Sequence, residues 1–440
     1  MTFDAIFVPA ELRRAVSDQA WLEAMLAAER ALANAEAIVG VIPAHAAGAI
    51  AEACRPELFD AATIAEGGRS AGNPAEPLVR ALRGRVPAEA ADYVHLGATS
   101  QDIVDSAAML VARDALGLIV VELDGVAAAC ARLVDAHRLT PMAARTLLQQ
   151  AVPTTFGLKA AGWLVAAVSA RKRLAAVRAT ELAAQLGGAA GTLAVLGAEG
   201  AAVGRQFAIE LELPEALLPW HADRTRVAEL GAALAVAAGA VAKIGLDVAL
   251  LEQTEVAEVV ERAGSGGSST MPQKRNPVGS AIAEACARRA RAAAGVLVES
   301  VVQEHERSLG AWHAEWDALS SALACAGGAA AAIREVLEGL EVDAERMRAN
   351  LELTGGGIMS ERVSFVLAAR VGRNEALRLL ADAAERSAQT GRKLKDELTA
   401  DPPAGLTVSE LDELFDPTTY LGVAETFVDR ALAYYREELC

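Results

Sequence analysis

The chain has 440 residues, with 41 lysines and arginines against 58 aspartates and glutamates, so its formal net charge is −17. This acidic balance excludes a general nucleic-acid-binding protein, which needs a basic surface to neutralise phosphates. Hydrophobic residues make up 53% of the chain, which excludes a disordered protein. The composition is that of a globular protein with a large core.

Targeting and metal-binding signals are missing from the sequence. The first twelve residues, MTFDAIFVPAEL, contain acidic side chains and no basic region before an apolar run, so we expect no secretion signal. The longest uncharged stretch, 182–198, holds four glycines and makes a poor membrane span. Five cysteines lie far apart, and none of the six histidines has metal-binding spacing. We therefore expect a cytoplasmic protein without disulfides, metal, membrane or nucleic-acid partners.

The first clear element in chain order is an amphipathic helix from Asp18 to Gly40. Its apolar face carries Trp21, Met25, Ala28, Leu32, Ala35 and Val39. Glu23, Arg30 and Glu36 lie off this face.

Longer helices are predicted where prolines are missing, because a proline inside a helix costs about 3 kcal/mol. The segment after Pro219 has the clearest pattern. Apolar residues recur every three or four positions, at Val227, Leu230, Leu234, Ala237, Val241, Ile244, Val248 and Leu251. This spacing predicts a long helix packed in a bundle. No segment shows the alternation typical of strands, so the sequence predicts an all-α fold.

Changes in composition divide this predicted fold into three domains. We expect an N-terminal helical domain over residues 1–100 and a central domain of long bundle helices over 101–352. Three glycines interrupt the helical pattern in LTGGGIMS, residues 353–360. A C-terminal helical domain is therefore predicted over residues 353–440.

The strongest chemical signal is the segment AGSGGSSTMPQKRNP, residues 263–277. Its glycines predict a flexible loop, its serines and threonine supply hydroxyl groups, and Lys274 adds a positive charge. Asn276 is predicted to cap a following helix, with Pro277 as the first helical residue. Backbone amides at a helix start attract anions, so the segment predicts a carboxylate or phosphate site. The alternative is a mobile surface loop between two helices.

The same loop carries a family resemblance, since GSSTMPQKRNP resembles the signature sequence of the fumarase/aspartase superfamily. HLGATSQD (95–102) and RTLLQQAVPTTFG (145–157) resemble two further characteristic segments of that superfamily, in the same order. EHERSLGAWHAEW (304–316) and LTGGGIMSERVSF (353–365) agree as well, so the resemblance extends over nearly the whole chain. It is closest to the branch of bacterial 3-carboxy-cis,cis-muconate cycloisomerases.

This resemblance implies an assembly and a chemistry. Members of the superfamily are all-α homotetramers whose central domains form a twenty-helix core, and each active site is built from three subunits. The expected partners are therefore further copies of the chain and a small polycarboxylate substrate. The resemblance implies no cofactor.

Site residues are also implied by the resemblance. The first serine of the signature loop, Ser268, is expected to transfer a proton, with Lys274 as the second catalytic residue. Contacts to substrate are expected from His95, Thr99, Ser100, Arg145, Thr146, Gln149, Asn276 and Arg307. On its own, His95 could instead bond a backbone carbonyl, and Arg307 could lie on an ordinary charged helix face.

One position departs from the family pattern. Most members have a histidine after the Arg-Thr pair, linked to protonation of the leaving group, whereas this chain has Leu147. An amine or hydroxide leaving group benefits from a general acid, but a carboxylate, with a pKa of about 4, leaves and attacks without one. The leucine therefore favours a cycloisomerase, in which a substrate carboxylate adds across a conjugated double bond to form a lactone in protocatechuate degradation.

Two alternatives remain open at this point. A lyase acting on a succinyl-type substrate, such as adenylosuccinate, would need His95 or His137 in place of the missing acid. A tetrameric bundle without catalytic activity would also explain Leu147, although the remaining motif residues argue against it. Turnover measurements distinguish these alternatives.

Overall fold

The computed structural model describes residues 3–262, 266–267, 271 and 274–439. Ser268, the expected proton-transfer residue, lies outside the described residues. The chain folds into two compact units, each assembled from three separate segments. Unit 1 consists of Met1–Leu123, Ser169–Lys243 and Ile282–Ile333. Unit 2 consists of Asp124–Val168, Ile244–Ala281 and Arg334–Cys440.

Helices account for most of the described chain, which confirms the predicted all-α fold. They are α1 (Asp4–Phe7), α2 (Ala10–Ala15), α3 (Asp18–Val39), α4 (Ala44–Ala53), α5 (Ala61–Ala71), α6 (Ala75–Arg83), α7 (Ala88–Ala91), α8 (Ser100–Ala136), α9 (Phe156–Thr180), α10 (Gly200–Leu211), α11 (Thr225–Leu251), α12 (Val278–Glu299), α13 (Ala311–Glu338), α14 (Ala344–Asn350), α15 (Ser360–Val371), α16 (Arg373–Thr390), α17 (Leu394–Ala400), α18 (Val408–Leu414) and α19 (Ala424–Leu439). Short 3₁₀ turns join several of them.

Short strands form three antiparallel pairs in the described part of the chain. They are β1 (Pro141–Thr146) with β2 (Gln149–Thr155), β3 (Val259–Glu261) with β6 (Leu340–Val342), and β4 (Gly266–Gly267) with β5 (Arg275–Asn276). The expectation of no strands is therefore wrong at these places. In β1 the pairing register shifts between Ala143 and Arg145, and the adjacent Met142 and Ala143 are both buried. This irregularity removes the alternation by which a strand is recognised in a sequence.

The two helices predicted in detail are present. All eight predicted core positions of α11 are at most 3% exposed. In α3 the hydroxyl of Ser17 accepts a hydrogen bond from the amide of Ala20, and the helix ends at Gly40 with φ of +91°. Glu36, which lies off the predicted apolar face, is nevertheless completely buried.

Unit 1 contains a buried ionic cluster centred on Arg224. Its guanidinium donates to Asp105 on α8 at 2.8 and 3.0 Å and to Glu315 on α13 at 2.5 to 3.2 Å. Burial disfavours the charge of Arg224, but the two carboxylates outweigh that effect and raise its pKa. Trp312 donates its indole N–H to Asp105 at 2.9 Å. The cluster fixes the start of α13 against the first turns of α8.

Unit 2 ends in a small apolar core formed by α15, α16, α17 and α18. Its buried members are Val363, Leu367, Ala376, Leu380, Ala383, Leu394, Leu398, Leu406, Leu411 and Leu414. A capping box between Thr407 and Glu410 sets the start of α18. Helices are thus present where the C-terminal helical domain is predicted, although both units combine distant segments. The division into three domains at residues 100 and 352 stays a prediction.

Two helices, α11 and α13, are long and apolar enough to cross a membrane by length and composition alone. Half of the most apolar window of α11 is buried in the fold, and 61% of that of α13. Core helices of soluble proteins have this character, and the buried apolar stripe of α11 is one such case.

Candidate active site

The candidate residues that the structure describes fall into two groups, one in each unit. Unit 1 carries His95, Thr99, Ser100 and Arg307. Unit 2 carries Arg145, Thr146, Gln149, Lys274 and Asn276. These residues lie in short segments at or near the ends of helices and strands, which is where a rigid scaffold usually presents functional side chains.

Thr99 and Arg307 are brought together in unit 1. Thr99 immediately precedes α8, and its hydroxyl accepts a hydrogen bond of 2.8 Å from Arg307. The second guanidinium nitrogen of Arg307 donates to the carbonyl of Ala189 at 3.1 Å. Arg307 lies in the irregular segment before α13, so the alternative that it lies on a helix face is wrong.

His95 pairs with a buried carboxylate and not with a backbone carbonyl. Its Nδ1 lies 2.6 Å from Oε1 of Glu29, a side chain with no solvent exposure. Burial disfavours the charged imidazole, but the adjacent Glu29 outweighs burial, and the pKa of His95 is raised. His95 also has a φ of +62°, which is rare for a residue with a side chain. The ring is therefore held in one orientation, with Nε2 as its remaining polar atom.

Asp102 is a residue of this group that the motif assignment missed. Its side chain is completely buried and accepts hydrogen bonds of 2.9 Å from the backbone amides of Thr99, Gly187 and Gly188. A signal for it exists in the sequence, because T-S-Q-D has the spacing of a capping box before a helix. The carboxylate ties the start of α8 to the glycine-containing segment that follows α9.

In unit 2, Arg145 forms a bidentate ion pair. Its terminal nitrogens donate to the two oxygens of Glu258 at 2.9 and 2.7 Å, and Glu258 is completely buried. The side-chain amide of Asn350 donates to the same carboxylate at 2.8 Å. The backbone carbonyl of Asn350 accepts a hydrogen bond from the side chain of Gln150 at 2.9 Å. These contacts hold the β1–β2 hairpin in place. A direct contact between Arg145 and substrate stays a prediction.

The tip of this hairpin presents four exposed side chains in a row, Thr146, Leu147, Leu148 and Gln149. Thr146 pairs with Gln149, so the two leucines form a two-residue turn. Their φ angles are +49° and +64°, and Leu147 is 97% exposed. Such turns normally contain asparagine and glycine, because positive φ strains a bulky residue. The hairpin tip thus combines a strained backbone with two exposed leucines.

The start of α12, beside the signature loop, is already occupied by a carboxylate of the chain. Glu261, at the end of β3, is completely buried. Its carboxylate accepts hydrogen bonds from the backbone amides of Gly279 and Ser280 at 3.0 and 3.1 Å, and another from the hydroxyl of Ser280. These amides therefore cannot bind a substrate anion, contrary to the expectation for this helix start. Lys274 is exposed, and Asn276 is half-buried in β5, one residue before Pro277.

His137 lies in the turn before Pro141. Its Nδ1 is 3.1 Å from the hydroxyl of Thr140, and its ring packs edge-on against Phe156. Burial lowers the pKa of His137, which makes it a poor replacement for a protonated acid.

Three cavities of unit 1 do not coincide with the candidate residues. One of 610 Å³ is lined by residues of α3, α8 and α10, one of 320 Å³ by residues near Trp21 and Trp316, and one of 350 Å³ by residues around α10. The candidate groups therefore lie outside these three cavities.

Comparisons with known proteins agree with these motifs. A family model described as "Lyase" matches residues 9–292, and one described as "Adenylosuccinate lyase C-terminus" matches residues 356–431. The chain is 50% identical to a nitrosuccinate lyase from Streptomyces davaonensis, over 95% of this chain and 91% of the relative. It is 48% identical to a 3-carboxy-cis,cis-muconate cycloisomerase from Pseudomonas aeruginosa, over 98% and 95%. The crystal structure of 3-carboxy-cis,cis-muconate lactonizing enzyme from Pseudomonas putida superposes with a TM-score of 0.95 at 43% identity, covering 100% of this chain and 99% of that one.

Proposed function

Because the chain belongs to the lyase family of the fumarase/aspartase superfamily, we propose that it catalyses the 3-carboxy-cis,cis-muconate cycloisomerase reaction in the cytoplasm. One substrate carboxylate adds across the conjugated double bond and gives a carboxymuconolactone. The structural observation that supports this proposal over an amine-releasing lyase is Leu147, an exposed leucine at the hairpin tip where most superfamily members have a histidine.

A leucine at this position fits the chemistry of ring closure. The nucleophile is a carboxylate, which at neutral pH is already an anion and needs no base to activate it. In the reverse direction the same carboxylate leaves as a stable anion and needs no acid. The only proton that must be moved is the one on carbon, so a second acid–base residue at the hairpin tip has no task.

The proton on carbon is assigned to Ser268, in agreement with the superfamily motif. As the carboxylate oxygen bonds to one alkene carbon, the π electrons move toward the carbon α to another carboxylate. Ser268 delivers its hydroxyl proton there and regains a proton from water. In the reverse reaction Ser268 removes that proton. Lys274 and Asn276 are proposed to stabilise the charge that develops on the neighbouring carboxylate. The amides of Gly279 and Ser280 are not part of this stabilisation, because Glu261 occupies them.

Two side chains of unit 1, Arg307 and His95, are suited to bind carboxylates. Arg307 is hydrogen-bonded to two neutral oxygens, from Thr99 and Ala189, so its charge is not cancelled by these contacts. The raised pKa of His95 extends the pH range in which its ring is cationic. Both groups suit a tricarboxylate substrate better than a neutral one.

We propose that the active site is shared between subunits of a homotetramer. The exposed leucines of the hairpin tip and the position of the candidate groups outside the three cavities described above both support this arrangement. The hairpin tip would then complete a site on another copy of the chain.

A second candidate is the elimination of nitrite from nitrosuccinate, favoured by the relative that is 50% identical. Nitrite, like a carboxylate, is a stable anion at neutral pH and leaves without a general acid. Leu147 is therefore compatible with both reactions, and only the substrate distinguishes them. An amine-releasing lyase with a leucine at position 147 would, by contrast, lack the general acid that its leaving group needs.

Turnover of the purified chain tests the proposal. We expect loss of the conjugated-diene absorbance of 3-carboxy-cis,cis-muconate with lactone as product, and no activity on adenylosuccinate, argininosuccinate or fumarate. Nitrite release from nitrosuccinate without consumption of the muconate would favour the second candidate. Folded protein that acts on none of these substrates would support a bundle without catalytic activity.

The Ser268→Ala variant tests the assigned proton transfer. We expect kcat to fall by about a hundredfold or more, since general acid–base catalysis contributes roughly 10² to 10⁴ in rate. Near wild-type turnover in a folded variant would contradict this role. Ser70→Ala, at an exposed position on α5, is the matched control.

A further inference from the structure

The environment of Asp102 includes a fourth hydrogen-bond donor, His221. Nε2 of His221 lies 2.6 Å from Oδ1 of Asp102, in addition to the three backbone amides that the carboxylate binds. His221 is only 4% exposed, and the Asp102 side chain is completely buried. A buried carboxylate is stable in its ionised form only when donors such as these surround it.

Asp102 binds the backbone amide of Thr99, and the hydroxyl of Thr99 binds Arg307 instead of the first turn of α8. In a full capping box the residue before the helix uses its own hydroxyl to bond an amide of the first turn. Here only the other half is present, because the backbone amide of Thr99 donates to Asp102 while its hydroxyl accepts from Arg307. The position of the hydroxyl is thus set by Asp102.

The second acceptor of Arg307 is set by the same carboxylate. Asp102 binds the amides of Gly187 and Gly188, and the next residue is Ala189, whose carbonyl accepts from Arg307 at 3.1 Å. The distance between the two acceptors of Arg307 therefore depends on how Asp102 holds these two segments. A shift of either acceptor would turn the planar guanidinium, which has a fixed geometry.

His221 packs directly against one of these segments. A Cβ atom on Gly187 would lie 2.7 Å from Cε1 of the His221 ring, so the ring lies against the glycine backbone. The carbonyl of His221 also accepts from Gln101 at 2.8 Å, which fixes the loop before α11 to the first turn of α8. His221 thus touches both the carboxylate and the glycine segment, yet the structure records no hydrogen bond between it and Arg307.

We propose that His221 is a positioning residue for substrate binding. By donating to the buried Asp102 it keeps Thr99 and the 187–189 segment in place, and through them it directs Arg307 toward a substrate carboxylate. The inference rests on the proposed function only in requiring a substrate with a carboxylate opposite Arg307, and the two candidate substrates have three and two carboxylates.

The experiment is a double-mutant cycle with His221→Leu and Arg307→Lys, measured on the substrate that the wild-type chain turns over. Lysine keeps the charge but cannot bond Thr99 and Ala189 as a planar fork. We expect His221→Leu to raise KM about tenfold, with a smaller change in kcat, as for the loss of one hydrogen bond to a charged group. In the Arg307→Lys background the same substitution should change KM less than about twofold, because coupled residues are not additive.

Conservative variants separate positioning from a general role in folding. In His221→Gln the side-chain amide reaches about as far as Nε2 of histidine, so we expect a KM near that of the wild type. In His221→Asn the amide is one bond shorter and we expect the raised KM of the leucine variant. His45→Gln, at an exposed position on α4, is the matched control and should leave KM unchanged.

Three results would overturn the inference. They are a wild-type KM in folded His221→Leu, the same change in KM in both Arg307 backgrounds, and equal KM values for the glutamine and asparagine variants. The amide pair decides the matter should the leucine variant fail to fold. If the wild-type chain acts on nitrosuccinate but not on the muconate, the cycloisomerase proposal is refuted, and this cycle can still be measured with nitrosuccinate. If the wild-type chain has no activity on either substrate, the cycloisomerase proposal and the role of His221 in substrate binding are both refuted.

Discussion

At the scale of single residues, the burial and the partners of individual carboxylates are what sequence patterns could not predict. On α3, Glu29 and Glu36 are both buried, although Glu36 follows the helical spacing of a solvent-facing residue. Glu29 is paired with His95, whereas both carboxyl oxygens of Glu36 lack a hydrogen-bond partner among the described residues. Burial, together with the charge of Glu29, raises the pKa of Glu36 to about 8. Glu36 is therefore protonated at neutral pH in the folded chain.

This protonation predicts a pH dependence of stability. Between its unfolded pKa of 4.5 and its folded pKa of about 8, the folded chain keeps a proton that the unfolded chain releases. The free energy of unfolding should therefore fall as pH rises through this window, by up to about 1.4 kcal/mol per pH unit from this group. In Glu36→Gln this contribution is lost, so urea unfolding midpoints from pH 5 to pH 8 should fall less steeply than in the wild type.

The matched control for that experiment is Glu23→Gln, an exposed position on the same helix. Its midpoints should follow the wild-type pH dependence. Parallel curves for the wild type and Glu36→Gln would show that Glu36 is ionised in the folded chain and would contradict the prediction.

At the scale of elements, the motif segments turn out to be held by acids that lie outside the motifs. Glu258 anchors the β1–β2 hairpin through Arg145, and Glu261 closes the start of α12. Both belong to the sequence EVVE before the signature loop, which has no spacing that announces a contact with residue 145 or residue 280. Long helices with a regular apolar stripe could be predicted, because their spacing is local. Contacts between distant segments could not, because no local pattern encodes them.

The hairpin anchor gives a prediction about Glu258→Gln. The amide cannot balance the charge of Arg145, and breaking a buried ion pair costs about 3 to 5 kcal/mol. We expect a clear drop in the thermal midpoint and, since the hairpin carries Thr146 and Gln149, a lower kcat/KM.

Glu341→Gln is the control for the hairpin prediction. Glu341 pairs with Arg262 at the surface, where the two side chains are 44% and 74% exposed. Loss of such a pair costs at most about 1 kcal/mol. If both variants lost the same amount of stability, the buried position of Glu258 would not matter and the anchor would be disproved.

For the whole molecule, the resemblance to a family was more informative than composition or periodicity. It led to the fold and the reaction class, whereas the division into three domains at residues 100 and 352 stays a prediction. Homotetramer formation and sharing of the active site remain proposals. Both concern exposed surfaces, such as the hairpin tip with Leu147, and the structure of a single chain does not contain the molecule that would contact them.

Mixing of inactive variants tests the shared site. Arg307→Gln changes unit 1 and Ser268→Ala changes unit 2, and each alone should be inactive or nearly so. In co-expressed mixed tetramers a site that takes these residues from different subunits has both intact in about a quarter of cases, so about a quarter of wild-type activity should return.

The control is a mixture of the two variants purified separately and combined without exchange of subunits, which should stay inactive. Light scattering should give a mass of about four times the 45.5 kDa chain for each sample. A tetramer whose co-expressed variants stay inactive would show that each site is built within one subunit, and a monomer would refute the assembly itself.

The interleaving of the two units also has a consequence for how the chain is made. A ribosome releases residues in order, but unit 1 lacks its last segment until residue 333 has emerged, and unit 2 lacks most of its last segment, Arg334–Cys440, until still later. Neither unit can therefore finish folding early, as an N-terminal domain normally does during synthesis. For most of its translation the nascent chain exposes apolar helix faces, so its yield in a cell should depend on chaperones that bind it at the exit tunnel.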